Sequence, residues 1–279
     1  IPPSAILVIY AIIVEESIGR LLVAGFIPGI VSAIIYAGLI IIMAVRNPEL
    51  GPPVKGFTWN DRLKSLPGTF PVVFVIFIIF FSMYTGTATP TEAGALGSMV
   101  VFIMALVGGM KWPTLKDALL ETARLTVMIF SLVWGVLIFV RFMGFAELPA
   151  VFAEWVVSLP FPPVVTMICI LMFYVVLGMF MDAIGMLLLT LPVVYPAVIG
   201  LGYDPIWFGI VVVKMCEVCL ITPPIGLNCY VVAGVRPDIP LQEVFRGIGP
   251  FFIADVITLG VFLAFPEVIT WLPDLMIQR

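Results

Sequence analysis

Histidine is absent from this sequence of 279 residues. His-ligated metals, haem, His general bases and His proton relays are therefore excluded. Charge is scarce too: 11% of residues are Asp, Glu, Lys or Arg, against 62% hydrophobic, and the mean hydropathy is +1.24. Soluble domains carry about a quarter charged residues, so this is the composition of an integral membrane protein whose surroundings are the lipid bilayer. The formal charge of −4 leaves no basic patch for nucleic acid. No G-x-x-x-x-G-K-[ST] phosphate loop occurs, which argues against ATP as a direct energy source. A basic n-region and a cleavage site are also missing from the opening Ile1-Pro2-Pro3-Ser4, so no signal peptide is visible, and we read the sequence as the C-terminal part of something longer. Of the four cysteines, Cys216 and Cys219 have CxxC spacing, but within an apolar run where packing is the expected role.

The apolar stretches are continuous rather than alternating, which predicts helices and not strands. At about 20 residues per span they give roughly eight to ten crossings or half-crossings. The fold class expected is all-α. Residues 1–14 are too short to span, and Glu15 and Glu16 close them. Leu21–Val45 is long enough to cross, with a kink expected at Pro28-Gly29. Residues 46–69 read as a polar loop carrying Arg46, Lys55, Arg62 and Lys64, and Lys111–Arg124 as a second basic stretch with Lys116. By the positive-inside rule both face the cytoplasm. Phe70–Tyr84 and Ala93–Met110 form an out-and-back pair between them. Their connecting turn ends in Thr89-Pro90-Thr91-Glu92, which reads either as a capping box or as carrying a functional acid at Glu92.

Leu125–Met143 and Phe145–Leu159 follow, separated by Arg141–Gly144, either as a hairpin returning on one side or as one crossing plus an interfacial helix. Arg141 is a candidate anion contact or a snorkelling interfacial residue. Four further segments are apolar: Val164–Met181, Ile184–Ile199, Ile206–Ile221 and Leu227–Val235. Gly249–Phe265 is the last span, with Asp255 inside it. The segment between residues 163 and 235 is broken in the wrong places for simple membrane helices. Asp182 interrupts it in Gly178-Met-Phe-Met-Asp182. Lys214 and Glu217, spaced i, i+3, are expected to pair with each other. Thr222-Pro223-Pro224-Ile225-Gly226-Leu227-Asn228 then stops the helix. Prolines remove backbone donors, and non-helical backbone at membrane depth persists only where it is buried in protein or lines a watery cavity. An intramembrane acid beside such a break points to an ion or substrate site in a secondary transporter.

An internal repeat is suggested as well. At an offset of 221, Pro2 and Pro3 match Pro223 and Pro224, and Val14, Ile18, Val23, Ile27 and Ala33 match Val235, Ile239, Val244, Ile248 and Ala254. Both segments have the form Pro-Pro, short apolar helix, charged turn, long span. Transporters built of such halves place their sites where broken helices meet.

Five motifs in register, Ile1-Pro-Pro-Ser4, Thr89-Pro-Thr-Glu-Ala93, Gly178-Met-Phe-Met-Asp182, Asp204-Pro-Ile-Trp-Phe-Gly209 and Leu220-Ile-Thr-Pro-Pro-Ile-Gly-Leu-Asn228, resemble the large membrane subunit of TRAP (tripartite ATP-independent periplasmic) transporters. The resemblance covers the whole sequence. It implies a bacterial or archaeal inner-membrane protein, a sodium-driven symporter for small organic acid anions rather than an enzyme, with an elevator mechanism and inverted repeats. It also implies two partners, a small four-helix membrane subunit and a periplasmic substrate-binding protein. The family's large subunit is longer, with a first repeat ahead of Pro2-Pro3. On this reading residues 1–69 hold the end of the first repeat and a cytoplasmic connecting loop, and 70–279 the second repeat. Within the latter, scaffold spans occupy about 70–124, the hairpin and broken-helix transport region about 125–248, and the last span and tail 249–279. The family often has Pro after the motif's Asp; this sequence has Ala183.

Sodium prefers about six hard oxygen ligands, as other hard cations do. Carbonyls freed by the prolines, with side-chain oxygens of Thr222 and Asn228, make residues 221–228 the leading cation-site candidate. Asp182 could ligate directly, balance charge, bind protons or cap the helix starting at Ala183. The candidate ion- and substrate-binding set is Asp182, Thr222, Pro223, Pro224, Gly226 and Asn228, with Pro2, Pro3 and Ser4 from the matching segment. No organic cofactor is expected. A membrane-embedded lipid or isoprenoid enzyme is disfavoured by the lack of His and of a clustered carboxylate pair, and a non-transporting scaffold subunit by costly intramembrane polarity that it would not need.

Overall fold

In a computed structural model, which describes residues 4–49, 51–52, 56, 58–224, 226–236 and 238–277, every regular element among the described residues is a helix. There are thirteen: α1 (Ala5–Val14), α2 (Ile18–Ala24), α3 (Phe26–Arg46), α4 (Trp59–Tyr84), α5 (Pro90–Val107), α6 (Trp112–Phe145), α7 (Leu148–Ser158), α8 (Pro163–Gly178), α9 (Ala183–Gly200), α10 (Pro205–Ile221), α11 (Leu227–Val235), α12 (Leu241–Ala264) and α13 (Glu267–Ile277). Among the described residues six segments are long and apolar enough to cross a membrane: Ile18–Arg46, Leu66–Tyr84, Pro90–Val107, Trp112–Phe145, Ala183–Gly200 and Leu241–Ala264. The all-α membrane class is therefore observed.

Three boundaries differ from expectation. The break in the first span falls at Gly25, not at Pro28-Gly29. Pro28 is the third residue of α3, inside the first turn, where its missing N–H has no intrahelical partner to lose. The segment read as loop to residue 69 becomes helical at Trp59, because Thr58 and Asp61 form a capping box. Hydrogen bonds from the Thr58 backbone and hydroxyl (2.9 and 2.7 Å) hold the Asp61 carboxyl below the usual carboxylate range. The basic stretch 111–124 is helical as well. It belongs to α6, which runs unbroken through Arg141–Gly144 and stops before Glu147, whose φ is +55°.

The chain divides into two units, Met43–Ser131 and the combination of Ile1–Ile42 with Leu132–Arg279. In the smaller unit α4 and α5 are joined by a turn of five residues. Thr89 accepts from Glu92 N–H (3.4 Å) while the Glu92 carboxylate accepts from Thr89 N–H (2.7 Å), so Glu92 serves as the capping-box acid. Gly97 lets the helices approach: a Cβ there would lie 2.6 Å from Ile79 Cδ1.

The larger unit is built around α10, apolar apart from Lys214 and Glu217 and buried along most of its length. Its polar atoms are satisfied by neighbours, as a dry interior requires. Asp204 caps its start through Trp207 N–H (2.8 Å), Tyr10 of α1 donates to Pro205 O (2.8 Å), and Trp207 Nε1 donates to Phe262 O of α12 (2.9 Å). Gly209 makes room for the Tyr10 ring and the Leu21 side chain. Thr190 and Tyr174 (2.7 Å) tie α9 to α8. The segments matched by the 221 offset share a form in space: a ten-residue α1 followed by α2–α3, and a nine-residue α11 followed by α12. At 1.5 Å per residue each short helix covers roughly half of a 30 Å hydrocarbon core.

Candidate functional site

Two helix breaks meet at the C-terminal end of α10. The first lies between α8 and α9. The last turn of α8 packs so closely on α10 that a Cβ on Gly178 would lie 2.2 Å from Cys219 Cβ, and Cys219 Sγ donates to Tyr174 O at 3.2 Å. Only glycine fits at this crossing. The chain then turns through Met179–Met181 to Asp182, which caps α9: one carboxylate oxygen accepts from Ile184 N–H (3.1 Å) and Gly185 N–H (3.2 Å). Asp182 is exposed and keeps its second oxygen for another partner. The Gly178–Cys219 crossing places this break beside the last turns of α10.

The second break ends α10 itself. Thr222 leaves the helix in extended conformation, with its N–H on Cys219 O (3.1 Å) and its buried hydroxyl donating to Val218 O (2.7 Å). Pro223 and Pro224 follow, exposed and joined by a cis peptide. Because both lack an N–H, the carbonyl of Leu220 has no backbone donor at i+3 or i+4. Gly226 adopts φ +51°, with the Phe245 ring against it, and accepts from Cys229 N–H (2.7 Å). The α11 helix begins at Leu227 with no side-chain cap, and the exposed Asn228 sits in its first turn. An uncapped helix start carries partial positive charge suited to an anion. The freed Leu220 carbonyl carries the opposite preference.

Of the residues expected at the site, Thr222, Pro223, Pro224, Gly226 and Asn228 form the break between α10 and α11, and Asp182 caps α9 beside the last turns of α10. Ser4 does not join them. It caps α1 through Leu7 N–H (3.4 Å) and lines a cavity of about 60 Å³ with Ser32, Lys214 and Glu217, about two turns back along α10. Pro2 and Pro3 lie outside the described residues.

The sequence reading left Asp255 to neutralise a neighbour or sit at a subunit contact; the structure gives it a neighbour, in a buried charge cluster beside that cavity. Lys214 pairs with Glu217, as its spacing suggested (3.1 Å), but also with Asp255 of α12 at 2.7 Å. Lys214 and Asp255 are 7% and 3% exposed, whereas Glu217 is 54% exposed. Tyr36 of α3 donates to Asp255 and accepts from Lys214 (3.3 Å). Three helices are fastened at one point. Two opposite charges in otherwise apolar spans were the available signal, since each needs a partner in lipid. Removing one partner of a buried pair leaves the other charge uncompensated, at a cost of about 3–5 kcal/mol. Lys214→Met should therefore lower the melting temperature of the purified protein sharply, and adding Asp255→Leu should recover most of it. Equal melting of Lys214→Met and the parent protein would show that the pair contributes nothing.

Helix breaks of this kind within apolar helices are a pattern of polytopic membrane proteins, in which irregular backbone is buried in protein or lines a cavity. Residues 1–268 match the family described as "Tripartite ATP-independent periplasmic transporter, DctM component", and the chain belongs to that family. It is 29% identical over 276 residues to the C4-dicarboxylate TRAP transporter large permease protein DctM of Pseudomonas aeruginosa, covering 98% of this chain and 64% of that one. It is 29% identical to the sialic acid TRAP transporter large permease protein SiaM of Vibrio cholerae (99% and 65% covered). It is 30% identical to the 2,3-diketo-L-gulonate TRAP transporter large permease protein YiaN of Escherichia coli (96% and 63% covered). The chain therefore spans just under two thirds of the length of these relatives. They are named as permease subunits, not enzymes, and the family together with the apolar helices makes this an inner-membrane protein.

Proposed function

We propose that the chain supplies the end of the first repeat and the whole second repeat of the large permease of a sodium-driven, binding-protein-dependent symporter for small organic acid anions. Its partners would be a small four-helix membrane subunit and a periplasmic substrate-binding protein. The observation that carries this reading is the meeting of the two breaks at the end of α10, where oxygens and helix N-termini lie together. Sodium would be held by carbonyls freed at Leu220–Thr222, by the Thr222 hydroxyl oxygen and the Asn228 amide oxygen, and balanced or ligated by Asp182. A substrate carboxylate would face the uncapped first turn of α11. Ser4, with Pro2 and Pro3, would supply the matching break of the first repeat. Transport would follow an elevator mechanism with inverted repeats. The relatives named above carry names of C4-dicarboxylate, sialic acid and diketogulonate transporters, all organic acids.

The test is uptake by the complete complex in proteoliposomes, with its binding protein and a panel of dicarboxylates, sugar acids and keto acids. Uptake of at least one acid, driven by an inward sodium gradient without ATP, is the expected result. Equal uptake in potassium-only buffer would remove sodium from the account.

A further inference from the structure

A site built from backbone carbonyls works only if its oxygens are held to within about 0.5 Å of the right geometry. The break between α10 and α11 has few local means of doing so. Among the described residues its hydrogen bonds join near neighbours: Thr222 N–H to Cys219 O (3.1 Å), the Thr222 hydroxyl to Val218 O (2.7 Å) and Cys229 N–H to Gly226 O (2.7 Å). The Cys229 thiol reaches across the break to Ile221 O, but at 3.9 Å the contact is long and weak. Pro223 and Pro224 are exposed, and neither has an N–H with which to fix the backbone. These bonds set local shape. The direction in which α11 leaves is set by packing.

That packing comes from α12. Phe245, half-buried in the second turn of α12, lays its ring on the buried Gly226: a Cβ on that glycine would lie 2.8 Å from Phe245 Cε1 and 3.3 Å from Cζ. The same ring meets Tyr230 edge-on, with centroids 6.3 Å apart and planes at 83°, a geometry that aromatic pairs prefer. Gly226 and Tyr230 lie one helical turn apart, the Tyr230 N–H donating to Gly226 O at 3.4 Å. Phe245 thus bridges the end of the break and the first turn of α11. Gly226 meets two demands at once, a φ of +51° and room for this ring. Further along, α12 is pinned to α10 by Asp255 on Lys214 (2.7 Å) and by the Phe262 carbonyl on Trp207 Nε1 (2.9 Å). A path of contacts therefore runs from α10 through α12 and Phe245 to α11, and it fixes the two sides of the break relative to each other.

We propose that Phe245 is a positioning residue for transport: its ring holds the first turn of α11 at the separation from the end of α10 that the cation site requires. Its side chain offers no oxygen, so it acts through Gly226 and α11 and not as a ligand. The inference rests on the sodium reading given above. Phe245 is one of 22 phenylalanines, and nothing in the sequence sets it apart.

Uptake against sodium concentration, by the complete complex in proteoliposomes, tests it with wild type beside Phe245→Ala and Phe245→Leu. In Phe245→Ala the half-saturating sodium concentration should rise about 3- to 10-fold, the scale of one lost aromatic contact, while the rate at saturating sodium stays within about twofold of wild type. Phe245→Leu keeps an apolar side chain and so protects the fold, but it lacks the ring that spans Gly226 and Tyr230. It should shift the sodium dependence in the same direction, by about 2- to 5-fold. A residue that served stability alone would lower the melting temperature and the maximal rate and leave half-saturation unchanged. That result, or wild-type sodium dependence in Phe245→Leu, would overturn the proposal. Wild-type uptake indifferent to sodium would instead remove the reading on which the proposal rests, and the proposal with it.

Discussion

Asp182→Asn in the complete complex should lower uptake by about ten- to a hundredfold, equivalent to roughly 1.4–2.7 kcal/mol, while insertion and melting stay near wild type. The substitution separates two roles that the structure superimposes. Asp182 accepts from the Ile184 and Gly185 amides, and asparagine caps a helix about as well as aspartate, so α9 should begin unchanged. Only the charge is lost. A carboxylate and a cation about 4 Å apart attract by about 4 kcal/mol at an effective dielectric of 20, so even partial coupling would appear in the rate. Asp182→Ala should add a stability loss of about 1 kcal/mol from the missing cap. If Asp182→Asn transports like wild type, the carboxylate is a cap and nothing more.

The second large effect concerns the break after Ile221. Replacing both Pro223 and Pro224 with alanine restores two N–H groups and removes about 3 kcal/mol of helix penalty per proline. The α10 helix should then extend, and the Leu220 carbonyl should regain an intrahelical partner and be lost to a cation. We expect the sodium concentration for half-maximal uptake to rise at least about tenfold, equivalent to 1.4 kcal/mol of cation binding. Assembly with the small membrane subunit should remain. Thr222→Val should give a milder shift, because it removes one oxygen, along with that hydroxyl's bond to Val218 O, and keeps the break.

How much of this was legible in the sequence depended on whether the cause was local. The proline break and the caps at Thr89 and Asp182 are each set by residues within four positions, and the helices begin and end where those residues say. The capping box at Thr58 and Asp61 has the same chemistry, but it was hidden by reading a polar stretch as a loop. Being outside the membrane is not the same as being non-helical, and Lys111–Arg124 in α6 shows the same conflation. At Pro28 the proline signal was real, but its place in the first turn of α3 made it harmless. The break falls instead at Gly25, which ends α2 just before α3 begins. The Tyr36–Lys214–Asp255 cluster joins residues 178 positions apart in the Tyr36–Lys214 bond. No periodicity reports such a contact; only the cost of lone charges in lipid hinted that partners existed. Likewise the closeness of Asp182 to the last turns of α10 rests on Gly178 fitting against Cys219, a match of shapes that neither segment declares alone.

The central claim is that a cation is held where these two breaks meet. Equilibrium binding of radiolabelled sodium to the purified complete complex, wild type beside the Pro223→Ala/Pro224→Ala variant, tests it most directly. The account predicts saturable sodium binding in the wild type and a loss of at least one site, or an affinity weakened about tenfold or more, in the variant. Identical binding isotherms for the two proteins would contradict it and move the cation away from the end of α10.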